Sequence, residues 1–461
     1  MKRKHLIGIS ISVFILIIMF FIPATESLGQ AGIRTIGMLV AFLILLITEA
    51  LPMMLICLIF LSLMPLLKVT PNFSSALVGF SNQVVFFILA SFGIAAAFTT
   101  IPLSKRLLIA ILKVFGKSVK SMIFALMMCS AVISSLVSNV PTCAIFMAIS
   151  LSFLELYSDP EAKKKTGRAL MIAIPVSSMI GGMMTPAGSS INLLAIGMLE
   201  QYTGQTITFV QWMAAGIPLT IILLPIAWKL ICIVYNPAEI APKMVRDFIN
   251  NLDIPEKITV EEIKTLVITG IMLVLWILSS WFRGINVMVV ALAGCCAFCL
   301  PGINVLKFKT FLENVSWESF FLVGTVLSLG SAMVSNNVSD WLISLIPPMT
   351  LSTPVLTGFI VFVTFALLVF IPVAPSLVTF MSLPFITLAA GMGVSPVLIM
   401  LVFGLCVANC YLLPLDTVPL LTYSTGYYSM TDMMKSTLPL QICIVVVMSL
   451  WMPLIGRILG L

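Results

Sequence analysis

The sequence has 461 residues, of which 61% are hydrophobic and only 9% are charged. This composition excludes an ordinary soluble globular protein and indicates an integral membrane protein. Because His5 is the only histidine, histidine-based acid–base catalysis and zinc binding inside the membrane are excluded. We interpret the net charge of +7 as a signal of membrane orientation, not of nucleic-acid binding.

Apolar segments long enough to cross a bilayer recur along the whole chain. A span needs about 20 apolar residues, and we predict about eleven spans plus two re-entrant segments. The first span follows the basic residues 2–5 and runs to Pro23, with no convincing signal-peptide cleavage site. The others are predicted near 33–48, 51–67, 82–101, 169–185 (continuing broken to 199), 211–235, 264–281, 286–303, 316–336, 396–413 (continuing broken to 425) and 437–459.

Two apolar segments, 121–155 and 352–388, are too long for one span and are interrupted near the middle. The first break reads Ser138-Asn139-Val140-Pro141-Thr142, and the second reads Pro372-Val373-Ala374-Pro375-Ser376. A break leaves backbone N–H and C=O groups without helical partners, which hydrocarbon tolerates only where protein or a water-filled cavity meets them. We therefore predict two hairpins that each enter and leave on one side, with a functional site at their tips.

The basic residues test this layout, because cytoplasmic loops collect Lys and Arg. With a cytoplasmic N-terminus, all of the 24 Lys and Arg residues lie on the cytoplasmic side except Arg34, Lys68, Arg283 and Arg457. This distribution predicts a multi-pass protein of the plasma or inner membrane with its C-terminus outside. The first hairpin then opens to the cytoplasm and the second to the outside. The polar segment 236–262 is predicted to be a cytoplasmic linker with a short helix.

The two halves of the single membrane domain resemble each other at ordered points. Residues about 51–235 and about 286–459 each read as span, span, hairpin, broken span and span. Pro65 and Pro301 end comparable spans, and the two breaks follow at matching places. An odd number of crossings separates the copies, so we predict inverted repeats, an arrangement common in secondary transporters.

A series of short motifs carries a family resemblance over nearly the whole chain. The motifs are Thr48-Glu49-Ala50-Leu51-Pro52, Ser138-Asn139, Thr185-Pro186-Ala187-Gly188 with Asn192, Leu413-Pro414 with Thr417 and Pro419, and Gly426-Tyr427 with Asp432 and Lys435. In this order they resemble the divalent anion/sodium symporter family, which includes dicarboxylate and citrate carriers. The resemblance implies an all-α fold of eleven spans and two hairpins, a homodimer, and an elevator movement.

The resemblance also implies residue roles. It places one sodium ion at the first hairpin tip and the first broken span, at Ser134, Ser138, Asn139 and Gly188. Neutral oxygens of this kind suit a hard monovalent cation without a buried carboxylate. For Ser134 alone, a hydroxyl bonded to its own helix is the competing interpretation. The expected substrate-binding residues are Asn139, Thr142, Thr185, Pro186, Ser189, Ser190, Ser376 and Thr417.

The chain departs from the family pattern at the second tip. Pro372, Val373 and Ala374 stand where the family has its second Ser-Asn-Thr motif, and Val140 replaces the threonine of the first. The asparagine and threonine side chains expected there are absent, so we expect one sodium site and not two. Asp416 lies in the second broken span, where a carboxylate costs ~2.5–3.5 kcal/mol on insertion scales. It is a candidate coupling group that neutralises a cation or carries a proton, or alternatively a cap on the half-helix that begins near Thr417.

These features predict a secondary transporter and not an enzyme. The leading hypothesis is uptake of a small organic anion, such as succinate, malate, citrate or 2-oxoglutarate, coupled to sodium. A sodium-independent exchanger or a proton-coupled carrier that uses Asp416 is the alternative. An intramembrane enzyme is disfavoured because there is no Ser/Lys or paired-Asp constellation at matching depth. Membrane lipid and a second copy of the chain are the expected partners.

Overall fold

The structure is a computed structural model that describes residues 3–24, 28–115, 118–250, 257–282, 284–344, 351–371 and 373–461. The predictions that concern Lys2, Lys117, Arg283, Pro372 and the linker residues 251–256 lie outside the described residues. Throughout the described ranges the regular structure is helical and includes no β-strand, which confirms the predicted all-α class.

The first half of the chain alternates long apolar helices with short polar connections. Two 3₁₀ turns, Val78–Ser81 and Pro186–Gly188, interrupt it. Its helices are α1 (Arg3–Ile18), α2 (Gln30–Thr48), α3 (Met53–Leu66), α4 (Phe73–Ala76), α5 (Gln83–Thr99), α6 (Leu103–Phe115), α7 (Val119–Val137), α8 (Asn139–Leu154), α9 (Pro160–Gly182), α10 (Ser190–Thr203) and α11 (Phe209–Tyr235).

The second half of the chain follows a linker that carries the predicted short helix. Its helices are α12 (Pro242–Asn250) in the linker, then α13 (Val260–Leu278), α14 (Val287–Cys299), α15 (Phe308–Asn314), α16 (Trp317–Ser335), α17 (Val338–Ser344), α18 (Thr353–Phe370), α19 (Ala374–Gly391), α20 (Pro396–Val407), α21 (Thr417–Tyr423) and α22 (Met430–Leu459).

Among the described helices, seven are long and apolar enough to cross a bilayer alone: α2, α7, α11, α16, α18, α19 and α22. Shorter apolar helices, among them α3, α8 and α20, accompany them. Along α22 the large side chains of Ile442, Val446 and Leu450 are exposed at helical spacing, as expected for a lipid-facing stripe. The total of eleven spans, the re-entrant course of the hairpins and the inverted orientation of the repeats stay predictions.

The break in the first apolar segment lies at Ser138, between α7 and α8. Ser138 has φ 82°, a left-handed conformation that is rare for a residue with a Cβ. Such strain is concentrated at functional sites, where the surrounding structure holds it in place. Both α7 and α8 pack against α9, which fixes the break beside the first broken span.

The first broken span consists of α9, the 3₁₀ turn Pro186–Gly188 and α10. Side chains of a neighbouring helix donate hydrogen bonds to carbonyl groups at the end of α9. Thr220 donates to the Ile180 carbonyl at 3.0 Å, and the Trp212 indole donates to the Met183 carbonyl at 2.9 Å. Both donors lie on α11, so a neighbouring helix compensates the break, as hydrocarbon requires.

The second half has corresponding interruptions. After α18, helix α19 begins at Ala374 with Pro375 in its first turn, where a proline costs no hydrogen bond. Helix α20 ends at Val407, and a non-helical segment leads to α21. Helix α19 packs on α20 and on α10, so the second break lies against elements of both halves.

The structure adds helices that the sequence did not predict, namely α4, α6, α15 and α17. Helix α6 follows α5 at an angle of 63° and packs along α7. Its Leu108 and Leu112 are buried, whereas Arg106 bonds outward to Glu262 of α13 at 2.6 Å. In sequence, the amphipathic α6 lies between the predicted span 82–101 and the first break. In space, it contacts both α7 of the first hairpin and α13.

Candidate functional site

Both breaks and both broken spans line one cavity of about 540 Å³. This volume lies in the range of sites for small molecules. Val373 and Pro375 of the second break contribute to its wall. Of the residues predicted from the sequence, the cavity brings together Ser138, Asn139, Ser189, Ser190, Asp416 and Thr417.

The predicted sodium residues form a contiguous group beside this cavity. Ser134 donates a hydrogen bond of 2.7 Å to Oδ1 of Asn139, across the break at Ser138. Both side chains are buried. The serine hydroxyl therefore does not bond back to its own helix, which was the competing interpretation for this residue.

Two glycines bring the first broken span against Asn139. A Cβ on Gly182 would lie 2.3 Å from Oδ1 of Asn139, and a Cβ on Gly188 would lie 2.5 Å from the Gly182 carbonyl oxygen. Real Cβ atoms do not approach this closely. Only glycine at both positions allows the backbone of the broken span to lie against the amide, so Gly188, Gly182 and Asn139 form one packed unit.

Asn192 completes the oxygen-rich group. Its Nδ2 donates to the carbonyl oxygens of Gly182 at 2.8 Å and of Thr185 at 3.1 Å, which fixes the amide orientation. Its Oδ1 is buried and has no hydrogen-bond partner among the described residues. A buried acceptor without a protein partner is uncommon, and such an oxygen is free to accept from water or to bind a cation. The donor set therefore fits a hard cation such as sodium.

The helix ends that face the cavity fall into two kinds. Helices α10 and α21 are capped by side chains, since Ser189 accepts the N–H of Ile191 and Asp416 accepts the N–H of Val418. Helices α8 and α19, which begin at the two breaks, have no side-chain cap. The N–H groups of Asn139 and Val140 in α8 and of Ala374 in α19 have no partner among the described residues, whereas Pro141 and Pro375 have no N–H and the Ser376 N–H donates to the Val373 carbonyl at 3.0 Å. These three N–H groups remain available to an anion, and the positive ends of the helix dipoles favour one.

Asp416 performs the capping role that the sequence left as an alternative. Its Oδ1 accepts the Val418 N–H at 3.0 Å and the Thr417 hydroxyl at 3.4 Å. Its other oxygen, Oδ2, takes no hydrogen bond and no ion pair from the described residues. Because Asp416 also lines the cavity, capping leaves one carboxylate oxygen for a ligand.

The cavity wall also contains two carboxylates that the sequence analysis did not predict there. Glu49, at the left-handed end of α2, and Glu318, in the first turn of α16, both line it and are exposed. The sequence feature that could have indicated them is an acidic residue at the end of an apolar segment. None of the described lining residues is Lys, Arg or His. The side-chain charge of the cavity is therefore entirely negative.

Four predicted substrate residues lie elsewhere. Thr142 is fully buried and donates to the Ser138 carbonyl at 2.8 Å, and Thr185 donates to the Ser135 carbonyl, so both hold the broken elements together. Pro186 lines a second cavity of about 300 Å³ that also contains Glu200. Ser376 is fully buried, and its hydroxyl has no partner among the described residues.

Sequence comparison decides the family. A sequence model of the sodium:sulfate symporter transmembrane region matches residues 3–461. The chain belongs to the sodium:sulfate symporter family. This symporter-family chain is thus a multi-pass membrane transporter and not an enzyme, which confirms both predictions and the resemblance noted from the motifs.

Curated relatives of this family member extend over most of its length. The sodium-dependent dicarboxylate transporter SdcS of Staphylococcus saprophyticus is 25% identical over 483 residues, covering 96% of this chain and 90% of the relative. SdcS of Staphylococcus aureus is 26% identical, covering 93% and 87%. A membrane protein of Cupriavidus necator is 24% identical, covering 73% of this chain and 68% of the relative.

Solved structures support the fold of this symporter-family chain. The MtrF protein of Neisseria gonorrhoeae aligns with a TM-score of 0.62 and 12% identity over 99% of this chain and 94% of MtrF. The YdaH transporter of Alcanivorax borkumensis aligns with a TM-score of 0.57 and 13% identity over 84% and 86%. At these identities the likeness concerns the arrangement of helices alone.

Proposed function

We propose that the protein is a sodium-coupled symporter that takes up a small organic anion through the 540 Å³ cavity. The observation that carries this proposal is the pairing of two uncapped helix ends with an adjacent group of neutral oxygens. The first suits an anion and the second suits a cation. The family and the dicarboxylate transporters among its relatives point to the same activity.

Electrostatics ties the two ligands together. No described cavity residue is basic, so helix ends alone must offset the charge of a carboxylate substrate. A sodium ion held by Ser134, Ser138, Asn139 and the backbone near Gly188 adds positive charge next to the first helix end. Anion binding should therefore strengthen when sodium is present, and an inward sodium gradient then drives uptake, at ~2.3 kcal/mol per net charge per 100 mV.

Asn139 is placed to serve both ligands. It is the first residue of α8, so its backbone N–H belongs to the uncapped helix end that lines the cavity. Its side-chain oxygen is held by Ser134 and contacts Gly182 of the broken span. In this proposal Asn139 joins the cation-binding and anion-binding halves of the site.

In the predicted topology, Glu49 and the start of α16 lie at the cytoplasmic ends of their spans, so the cavity opens toward the cytoplasm. The second cavity is lined by Pro186 and Glu200, and the same predicted topology assigns it to the outer side of the broken span. Alternating access by an elevator movement, within a homodimer, remains part of the proposal.

Reconstitution tests the proposal directly. Purified protein in proteoliposomes should take up labelled succinate, malate, citrate, 2-oxoglutarate or a related amino-substituted anion, such as aspartate, when sodium is higher outside. The same vesicles with a choline gradient should show little uptake. A proton gradient and preloaded counter-anion are the two comparison conditions. Equal uptake with choline, or uptake that requires only protons or counter-anion, would instead favour the carrier that uses Asp416 for coupling. No uptake of any of these anions in any gradient would reject the transport proposal.

A further inference from the structure

The inference concerns the chemical class of the anion and rests on the proposed function. The cavity presents three carboxylates, those of Glu49, Glu318 and Asp416, and no basic side chain among its described lining residues. A substrate with two carboxylates and no positive group would enter against this charge. The cavity thus favours an anion that also carries a cationic group.

Asp416 is the carboxylate placed to meet that group. Glu49 and Glu318 are exposed, whereas Asp416 is partly buried and shares the cavity wall with both breaks. Its Oδ1 is used in capping α21, and its Oδ2 has no hydrogen bond or ion pair with the described residues. An ionised carboxylate at membrane depth requires a cationic partner, and the described protein supplies none for Asp416.

The two uncapped helix N-termini supply partial positive charge in the same cavity as the carboxylates. Helices α8 and α19 have 16 and 18 residues and begin at Asn139 and Ala374 without side-chain caps. By contrast, α21 is capped by Asp416 itself. The cavity therefore offers the free N–H groups of Asn139 and Val140 at the start of α8 and that of Ala374, which lies between the lining residues Val373 and Pro375. With a free carboxylate oxygen from a third element, these groups complement a molecule with both charges.

We propose that the substrate is a small carboxylate that also carries a protonated amine, as in an acidic amino acid, and that Asp416 binds the amine. The carboxylates are held by the helix ends at the two breaks. In this assignment Asp416 is a specificity-determining residue, and the coupling cation is held at the separate oxygen group around Asn139.

Succinate and aspartate provide a matched pair of probes, because they differ by one amino group. In proteoliposomes with a sodium gradient, the wild-type protein should take up aspartate with at least about a tenfold higher kcat/KM than succinate, as expected for one charge-assisted hydrogen bond. Malate, with a hydroxyl in place of the amine, should fall between them or resemble succinate.

The variant Asp416→Asn removes the charge and keeps a good helix cap. It should lose the preference for aspartate while retaining succinate uptake, with its apparent sodium affinity unchanged. Asp159→Asn is the matched control, since it makes the same change at an exposed capping aspartate of α9 that does not line the cavity, and the aspartate preference should remain. If Asp416→Asn does not fold, Asp416→Ser supplies a second capping residue for the same comparison.

The outcomes separate this inference from the proposed function. The inference would be overturned if the wild type took up succinate as well as or better than aspartate and Asp416→Asn did not change this ratio. Sodium-coupled transport would still stand. A change in sodium dependence without a change in preference would also overturn it. Absence of uptake for both anions in every gradient would instead reject the transport function itself.

Discussion

The Ser134 hydroxyl and the Asn139 amide oxygen are joined by a 2.7 Å hydrogen bond across the break at Ser138. This contact spans the end of one helix and the start of the next, so it sets the position of the first helix end that faces the cavity. It also places two neutral oxygens against the backbone of the broken span at Gly182.

Truncation of either partner should weaken sodium-dependent uptake. We expect Ser134→Ala and Asn139→Ala to lower the apparent sodium affinity by about tenfold or more, because each removes an oxygen that can contact a charged ligand. The control is Ser152→Ala, whose exposed hydroxyl bonds only to the Ala148 carbonyl of its own helix. Normal sodium affinity in Asn139→Ala would remove this group from the site.

A methyl group at Gly182 should have a similar effect without removing any oxygen. Its Cβ would lie 2.3 Å from Oδ1 of Asn139, so the amide must move away from the broken span. We expect Gly182→Ala to reduce sodium-dependent uptake at least as much as Asn139→Ala. Gly270→Ala, which adds a methyl group in open space on α13, should retain wild-type uptake. Equal sodium-dependent uptake by Gly182→Ala and Gly270→Ala would contradict the packed arrangement.

Capping by Asp416 predicts a stability difference between two substitutions. Asp416→Ala leaves the first N–H groups of α21 without an acceptor, which costs about 1 kcal/mol. Asp416→Asn retains an acceptor and should unfold near the wild-type temperature. Thermal unfolding of the purified protein in detergent, monitored by intrinsic tryptophan fluorescence, distinguishes the two variants. A lower melting temperature for both variants would show that the charge, and not the cap, stabilises this segment.

The Arg106–Glu262 pair predicts acid sensitivity outside the predicted spans. Burial alone would raise the pKa of the Glu262 carboxyl, but hydrogen bonds from Arg106 and Thr259 offset this, and the pKa lies below its ordinary value of 4.5. A carboxyl with a lowered pKa stabilises the fold above its unfolded pKa, and this stabilisation is lost as the pH falls through the folded pKa. Melting temperatures of the wild type should therefore drop as the pH is lowered from about 5 to about 3.

The variant Glu262→Gln should flatten this acid dependence. At neutral pH it should also destabilise the protein by about 2 kcal/mol, less than for a fully enclosed pair because the Arg106 side chain is 19% exposed. Lys309→Gln, which removes an exposed pair with Glu313 at 3.9 Å, should change stability by less than about 0.5 kcal/mol. An unchanged acid profile in Glu262→Gln would assign the acid loss to other carboxyls.

The positions of the breaks could be read from the sequence because polar residues and prolines inside an apolar run leave backbone groups without partners. Ser138 and the turn at Pro186 both interrupt helices as that reasoning requires. The start of α9 was harder to predict, because the helix extends beyond the apolar segment into the polar residues after Pro160. Helix α6 was hidden because its basic residues resembled an ordinary cytoplasmic loop.

The cavity itself was only partly predictable. Asn139 was identified from the polar break and the family motif, and Asp416 was identified because a carboxylate in an apolar segment has a high insertion cost. Glu318 was not, because it lies at the end of a span and reaches the cavity only through the packing of α16 beside the first half of the chain. Thr142 was expected at the substrate but bonds to the Ser138 carbonyl, a local choice that sequence spacing does not reveal.

Sodium titration of anion uptake tests the central claim most directly. Initial rates of aspartate and succinate uptake into proteoliposomes are measured as external sodium replaces choline at constant ionic strength, with the wild type and Asn139→Ala side by side. The account predicts a saturable sodium requirement in the wild type and a much weaker sodium affinity in the variant. Wild-type uptake of either anion that is independent of sodium would contradict it.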